Sequence, residues 1–320
     1  MDEKSIEGAC SSMKITVDPS GQGDFVTVQS AVDSIPEQAD SLVILEIKKG
    51  VYCEKITIPS SKPTIRMIGE GAEETILTYS DNAHTLGEDG QPLGTFRSGS
   101  LYVYADDFSA EQLTVRNDSG PGTGQAVAAF IDADRVSFQH VRLEDDQDTL
   151  YVSGGRHYFA ECFIEGDVDF IFGPAAAVFD RCMIRCKRSG GYLTAANTPK
   201  EAEFGYVFLD CTISGAPGVE NVYLGRPWRD YANVVFIRCE MDGSVHPQGW
   251  HNWNQPDREQ TSRYAEFDSR GPGAAPSLRV SWSRDLTEAE AKPFTIEQVL
   301  SGQDGWCSPY APGSSKLKKG

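Results

Sequence analysis

The sequence predicts an all-β chain wound as a parallel β-helix. Three observations predict it: one strand-like segment returns every 20 to 29 residues, the copies place the same residue types at the same position, and helical spacing is absent from the middle of the chain.

The clearest copies begin at Phe138, Phe159, Phe179, Phe208 and Phe236, with a weaker one at Ala110. Their fourth positions are Leu113, Val141, Cys162, Cys182, Cys211 and Cys239, at steps of 28, 21, 20, 29 and 28 residues. Within each copy apolar and polar residues alternate, the period of a half-buried strand. Gly, Asn, Asp and other polar residues follow most copies, as turns require. A two-sheet sandwich has no reason to repeat a residue type at one register. The four aligned cysteines are therefore expected to stack as a buried ladder of small apolar fillers rather than as disulfides or a zinc site. Cys10, Cys53, Cys186 and Cys307 fall outside this register.

The ends read differently. Val28, Ala31, Val32 and Ile35 share one helical face, so a short helix over Thr27 to Ile35 is expected to cap the open coil stack. Thr287 and Glu290 have capping-box spacing ahead of a short acidic helix, and residues 295–300 are expected to form another. The expected organisation is one domain over 1–320. Its coil core covers about 15–255, a loop and short helices cover about 256–312, and a frayed tail covers 313–320.

Of the 320 residues, 39% are hydrophobic and 24% charged, the balance of a globular protein. No apolar run approaches the ~20 residues of a membrane helix. The net charge of −18, from 29 bases and 47 acids, argues against nucleic acid and anionic membranes as partners. It also disfavours a dense polyanion, but not a polysaccharide whose carboxylates are masked as esters. The first twelve residues carry acids and no apolar stretch, so they do not read as a signal peptide.

Four segments carry polar residues in unusual places: Gln125-Ala126-Val127, Gln147-Asp148-Thr149-Leu150-Tyr151, Asp169-Phe170-Ile171-Phe172-Gly173 and Leu224-Gly225-Arg226-Pro227-Trp228. Gln125 and Gln147 are 22 residues apart and Asp148 and Asp169 are 21 apart, one coil each; Asp169 and Arg226 are 57 apart, two longer coils. All five polar side chains are thus expected on neighbouring strands of one sheet, ~4.8 Å apart. Two carboxylates that close do not both ionise cheaply, so one pKa should rise while the other, paired with Arg226, stays low. That leaves one anion to attack and one acid to donate, with two amides suited to an oxyanion. Trp228, Tyr151 and Phe172 offer flat faces to sugar rings. Singly, each of these residues reads as readily as a turn, a solvated face or a structural ion pair; their shared register makes them a set. No GxSxG elbow, HExxH or P-loop occurs, and none of the five histidines lies in these segments. Neither metal nor cofactor is expected.

These segments, together with Gly50-Val51-Tyr52-Cys53-Glu54 and the opening Gly23-Asp24-Phe25-Val26-Thr27, resemble the pectin methylesterase family in order and spacing from about Gly21 to Trp250. The resemblance implies a right-handed parallel β-helix that removes methanol from methyl-esterified homogalacturonan. It implies Asp169 as nucleophile and Asp148 as general acid and then base. Arg226 holds Asp169, Gln125 and Gln147 steady the oxyanion, and Tyr151, Phe172, Trp228 and Trp250 line the sugar groove. It also implies a monomer and an extracellular location; a cytoplasmic one is expected only if Met1 is the native start. The acidic run Glu144-Asp145-Asp146 departs from the family and is expected to raise the pKa of Asp148. Asn117-Asp118-Ser119 forms a glycosylation sequon. The rival readings are a glycosidase or lyase on the same fold and a carbohydrate-binding module without activity.

Overall fold

The computed structural model describes residues 12–37 and 41–314, which wind into a right-handed parallel β-helix. Each central coil contributes one strand to each of three sheets, which have eleven, eight and seven strands because the terminal coils do not add to all three. One coil runs Val136–Gln139, Arg142–Glu144, Leu150–Val152; the next runs Arg156–Ala160, Phe163–Gly166, Val168–Gly173. The second stacks on the first in parallel register on all three faces.

Each repeated segment is two short strands meeting at a corner, not the single strand that alternation suggests. The residue just before the ladder position turns the chain. His140, Glu161, Arg181, Asp210 and Arg238 have φ of 50°, 51°, 50°, 52° and 51°. The left-handed region costs a non-glycine residue roughly 1–2 kcal/mol, so stacking on both sides must hold these corners. It does so through rows of like side chains. Phe159, Phe179, Phe208 and Phe236 are fully buried, with successive ring centroids 4.8, 4.5 and 4.4 Å apart and nearly parallel. The cysteine ladder lies beside them, buried and unbridged. Its thiols also donate: Cys182 Sγ to Phe159 O (3.3 Å) and Cys211 Sγ to Phe179 O (3.2 Å). They satisfy carbonyls of the preceding coil as well as filling space. Cys186 is buried too, Cys53 and Cys307 are exposed, and Cys10 lies outside the described residues.

Helix Val28–Ser34 covers the N-terminal end, with Val28, Ala31 and Val32 buried and Thr27 as its N-cap. The Glu54 carboxylate accepts the Val28 and Gln29 N–H groups at 2.8 and 2.9 Å. The Glu54 of the Gly50-Val51-Tyr52-Cys53-Glu54 segment thus anchors the cap helix. At the other end the Thr287–Glu290 capping box forms, and helices Glu288–Ala291 and Ile296–Leu300 follow. Val299 and Leu300 pack on the outer face of the eleven-stranded sheet, against residues such as Tyr158 and Val178. That sheet continues past residue 255 through Arg263–Phe267 and Arg284–Asp285, so the region expected as loop adds two further strands. Asn117 of the sequon is 4% exposed and its Nδ2 donates to the carbonyls of Asp81 (2.8 Å) and Ser98 (3.0 Å). A glycan at that nitrogen is incompatible with this fold.

Candidate active site

The outer face of the seven-stranded sheet gathers the polar segments. Gln125 pairs with Gln147 and Gln147 with Val168, while Leu150 pairs with Ile171. The register between these last two strands is constant, so Asp148 and Asp169 stand side by side, one strand spacing apart (~4.8 Å). Gln125 and Gln147 occupy the adjoining row. Among the described residues neither amide side chain makes a hydrogen bond, which leaves their N–H groups free for a ligand.

A β-bulge aims Asp169. Val168 pairs with Tyr192 but Ile171 with Thr194, so the strand carries one extra residue between them. Asp169 takes φ 52° there, which allows both Phe170 and Ile171 to enter the core. Asp148 is likewise left-handed, at φ 70°. Such backbone positions cost free energy and concentrate where a side chain must be placed for chemistry.

Arg226 grips Asp169 through both oxygens: Nε to Oδ1 at 2.8 Å and Nη2 to Oδ2 at 2.7 Å. Its guanidinium lies between two rings, 3.7 Å from the Trp253 centroid and 4.0 Å from that of Tyr192. The planar cation is thereby fixed in orientation. Asp148 and Asp169 are only 9% and 6% exposed. Burial pushes the Asp148 carboxyl well above the ordinary range; the charges of Asp169 and Asp167 push the same way, and Arg226 opposes them. Asp169 is raised as well. Its burial outweighs the hydrogen bonds and charge of Arg226, which pull it down. The expectation that Asp169 stays low is corrected: the acids are separated because Asp148 has no cation of its own, not because Asp169 is an unusually strong acid. The acidic run, expected to raise Asp148, does not act on it; within the run Asp145 is itself buried and pushed up to about 8. The nearby charges that raise Asp148 are those of Asp169 and then Asp167, not those of the run itself.

An aromatic wall flanks the acids. Tyr102, Phe130, Tyr151 and Phe172 follow one another across the sheet in register. The Tyr151 ring is 4.8 Å from Phe130 and 4.9 Å from Phe172, and Trp228 meets Phe172 edge-on at 5.9 Å. Phe96, in the 3-10 turn Thr95–Arg97 and 46% exposed, leans over Tyr151 at 5.0 Å. Phe96, Tyr102, Phe130, Tyr192 and Trp253 were not apparent from the sequence. Phe96 lies outside the repeats and carries no register signal, but the row through Tyr151 would have reached Phe130.

Trp250 is the exception among the expected groove residues. It is 1% exposed, stacked on Tyr264 at 4.2 Å inside the coil. It pairs with Gly225 on the inward row, where a glycine Cβ would come within 2.0 Å of Thr194 Oγ1. Trp250 is a core residue and touches no sugar; the neighbouring Trp253 faces the site instead. Among the described residues, no group of three or more His, Cys, Asp and Glu is placed to hold a metal.

A model of the Pectinesterase family matches residues 14–303. This chain belongs to that family. Its members are carboxylic ester hydrolases. "Pectinesterase QRT1" of Arabidopsis thaliana is 39% identical over 300 residues, covering 91% of this chain and 78% of that protein. The solved pectin methylesterase from carrot superimposes with a TM-score of 0.85 at 34% identity, covering 91% of this chain and 93% of that one. A pectin methylesterase solved in complex with a hexasaccharide gives a TM-score of 0.82 at 30% identity, over 93% and 99% of the two chains. No described helix is long and apolar enough to cross a membrane.

Proposed function

We propose that this pectinesterase hydrolyses methyl esters of homogalacturonan with Asp169 as nucleophile and Asp148 as proton carrier. Asp169, aligned by Arg226, attacks the ester carbonyl, and the negative charge moves to the carbonyl oxygen. The free amides of Gln125 and Gln147 donate to that oxygen. Collapse breaks the bond to the methoxy oxygen, which takes the Asp148 proton and leaves as methanol. Asp148, now ionised, removes a proton from water; the hydroxide attacks the acyl group on Asp169, yielding the free galacturonate and regenerating both carboxyls. Tyr151, Phe172, Trp228 and Trp253 bind the sugar rings, with Phe96 above them.

The observation that carries this reading is the asymmetry of two adjacent buried acids, one clamped by a guanidinium and one without a cation. Methylated pectin supplies the test: methanol release is measured while product length is followed by size-exclusion chromatography. Methanol at constant chain length is expected. Chain shortening without methanol would refute the esterase reading in favour of a glycosidase or lyase.

A further inference from the structure

The amide of Gln125 makes no hydrogen bond of its own among the described residues, so its place is set by its backbone. On one side that backbone rests on the next coil, where the Ala126 N–H donates to the Gln147 carbonyl at 3.0 Å. On the other side no described strand reaches it. The strand of the preceding coil, Leu101–Val103, pairs with Ala129–Ile131, and the chain ahead of it leaves the sheet in the 3-10 turn Thr95–Arg97. A loop over 82–97 stands in for the strand. Its Ala83 N–H donates to the Gln125 carbonyl at 2.7 Å. His84 lies so close to Gly124 that a Cβ there would stand 3.0 Å from its Nε2.

One buried side chain holds this loop. Asn117 Nδ2 donates to the carbonyls of Asp81 at the loop's start, Ser98 at its end and Val127, two residues past Gln125, at 2.8, 3.0 and 3.2 Å. Its Oδ1 accepts the Ser119 N–H at 2.9 Å, which decides the orientation of the amide. Asn117 is 4% exposed, so losing these bonds leaves carbonyls with neither partner nor water. With its ends drawn together the loop has the closed form of an Ω-loop. Bonds from the Leu93 N–H to the Thr85 carbonyl (2.8 Å) and from the Gly94 N–H to the Ala83 carbonyl (2.9 Å) brace its interior. A displacement at Asn117 is thus carried to Ala83, and from Ala83 to Gln125.

Resting on the oxyanion role proposed for Gln125, we propose that Asn117 is a positioning residue. By clasping both ends of the 82–97 loop together with the Val127 carbonyl, it seats the Ala83 N–H on Gln125 and fixes the Gln125 amide where the oxyanion forms. A donor to an oxyanion is effective when it is aimed in advance, because it then needs no reorganisation during the reaction. Asn117, itself buried, acts through the loop and not on the substrate.

The test is a double-mutant cycle on methanol release, with an unfolding curve for each variant. Asn117→Ala opens the clasp. Ala83→Pro is the gentler probe. Ala83 is the second residue of the turn closed by the Thr85 N–H on the Asn82 carbonyl (3.0 Å), a position proline favours, so the change deletes the N–H and keeps the turn. Each should lower kcat about 10- to 100-fold, the cost of misplacing a catalytic group by about 1 Å, and leave KM little changed. In a Gln125→Ala background no amide remains to be placed, and each should change kcat by less than about twofold. If Asn117→Ala does not fold, Ala83→Pro decides alone. Losses that multiply with that of Gln125→Ala, or native kcat in a folded Ala83→Pro enzyme, would overturn the positioning role alone. Native kcat in Gln125→Ala would overturn the oxyanion reading and this proposal with it.

Discussion

Replacing Arg226 with lysine keeps the charge and removes the fork. In the native site the guanidinium makes two bonds of 2.8 and 2.7 Å to the Asp169 carboxylate and is held flat between Trp253 and Tyr192. An ammonium reaches one oxygen at best and stacks poorly. The loss is then one charge-assisted hydrogen bond, about 1.5–3 kcal/mol. At 1.36 kcal/mol per tenfold in rate, kcat should fall about 10- to 150-fold. A second signature separates this from a general loss of fold. Arg226 lowers the pKa of Asp169 against its burial, so a weaker partner leaves Asp169 protonated to higher pH, and the acid limb of the pH–rate profile should move up. Methanol release from pectin measured across pH, with thermal unfolding as the control for folding, reads both effects. A folded Arg226→Lys enzyme with native kcat and an unmoved acid limb would refute the assignment of Arg226 as the group that aligns and ionises the nucleophile.

Two other acids make separate predictions. The charge of Asp167 raises both Asp148 and Asp169; in Asp167→Asn each carboxyl ionises more readily, so both limbs of the bell-shaped profile should move to lower pH, and limbs that move apart or stay put would contradict this. Asp145 is 4% exposed, with Oδ2 buried and unpartnered among the described residues, and its carboxyl is pushed from 3.8 to about 8. The folded state therefore holds a proton that the unfolded chain releases, and stability should fall as pH rises from about 4 to about 8. Asp145→Asn removes this slope: near pH 4 the variant should match the wild type, and by pH 8 it should gain on the order of 5 kcal/mol as an upper bound. Thermal midpoints at pH 4.5 and 8 measure the divergence; parallel midpoints would show that Asp145 ionises without cost.

The coil register could be read from the chain because stacking one coil on the next imposes the same neighbours at each turn. Identical residues therefore recur as Phe159, Phe179, Phe208 and Phe236, or as the four cysteines. The same arithmetic placed Asp148 beside Asp169. It worked less well where the backbone departs from a strand. The left-handed corners at His140 and its equivalents are polar residues of several types, and nothing in their identity separates a bend from an exposed strand position. The bulge at Asp169 was equally hidden, although Phe170 and Ile171, two consecutive core residues beside a carboxylate, are its trace. The inward position of Trp250 is not legible in the sequence because it depends on the pairing with Gly225, which no repeat marks. At Gly225 the Thr194 side chain of the preceding coil takes the space a Cβ would need, and Trp253 lies beyond the Gly225 strand. The raised pKa of Asp169 is not legible because counting charges favours Arg226, whereas the depth of the carboxyl is a property of the packed loops and rings around it.

In the proposed mechanism the Asp169 carboxylate forms the bond to the ester carbon. Methanol release by Asp169→Ala measures it most directly, with Asp148→Ala alongside and unfolding curves for both. Asp169→Ala should retain its fold and lose essentially all turnover, with Asp148→Ala retaining at most a small residue of it. Release by Asp169→Ala within tenfold of the wild-type rate would mean that another group attacks the ester.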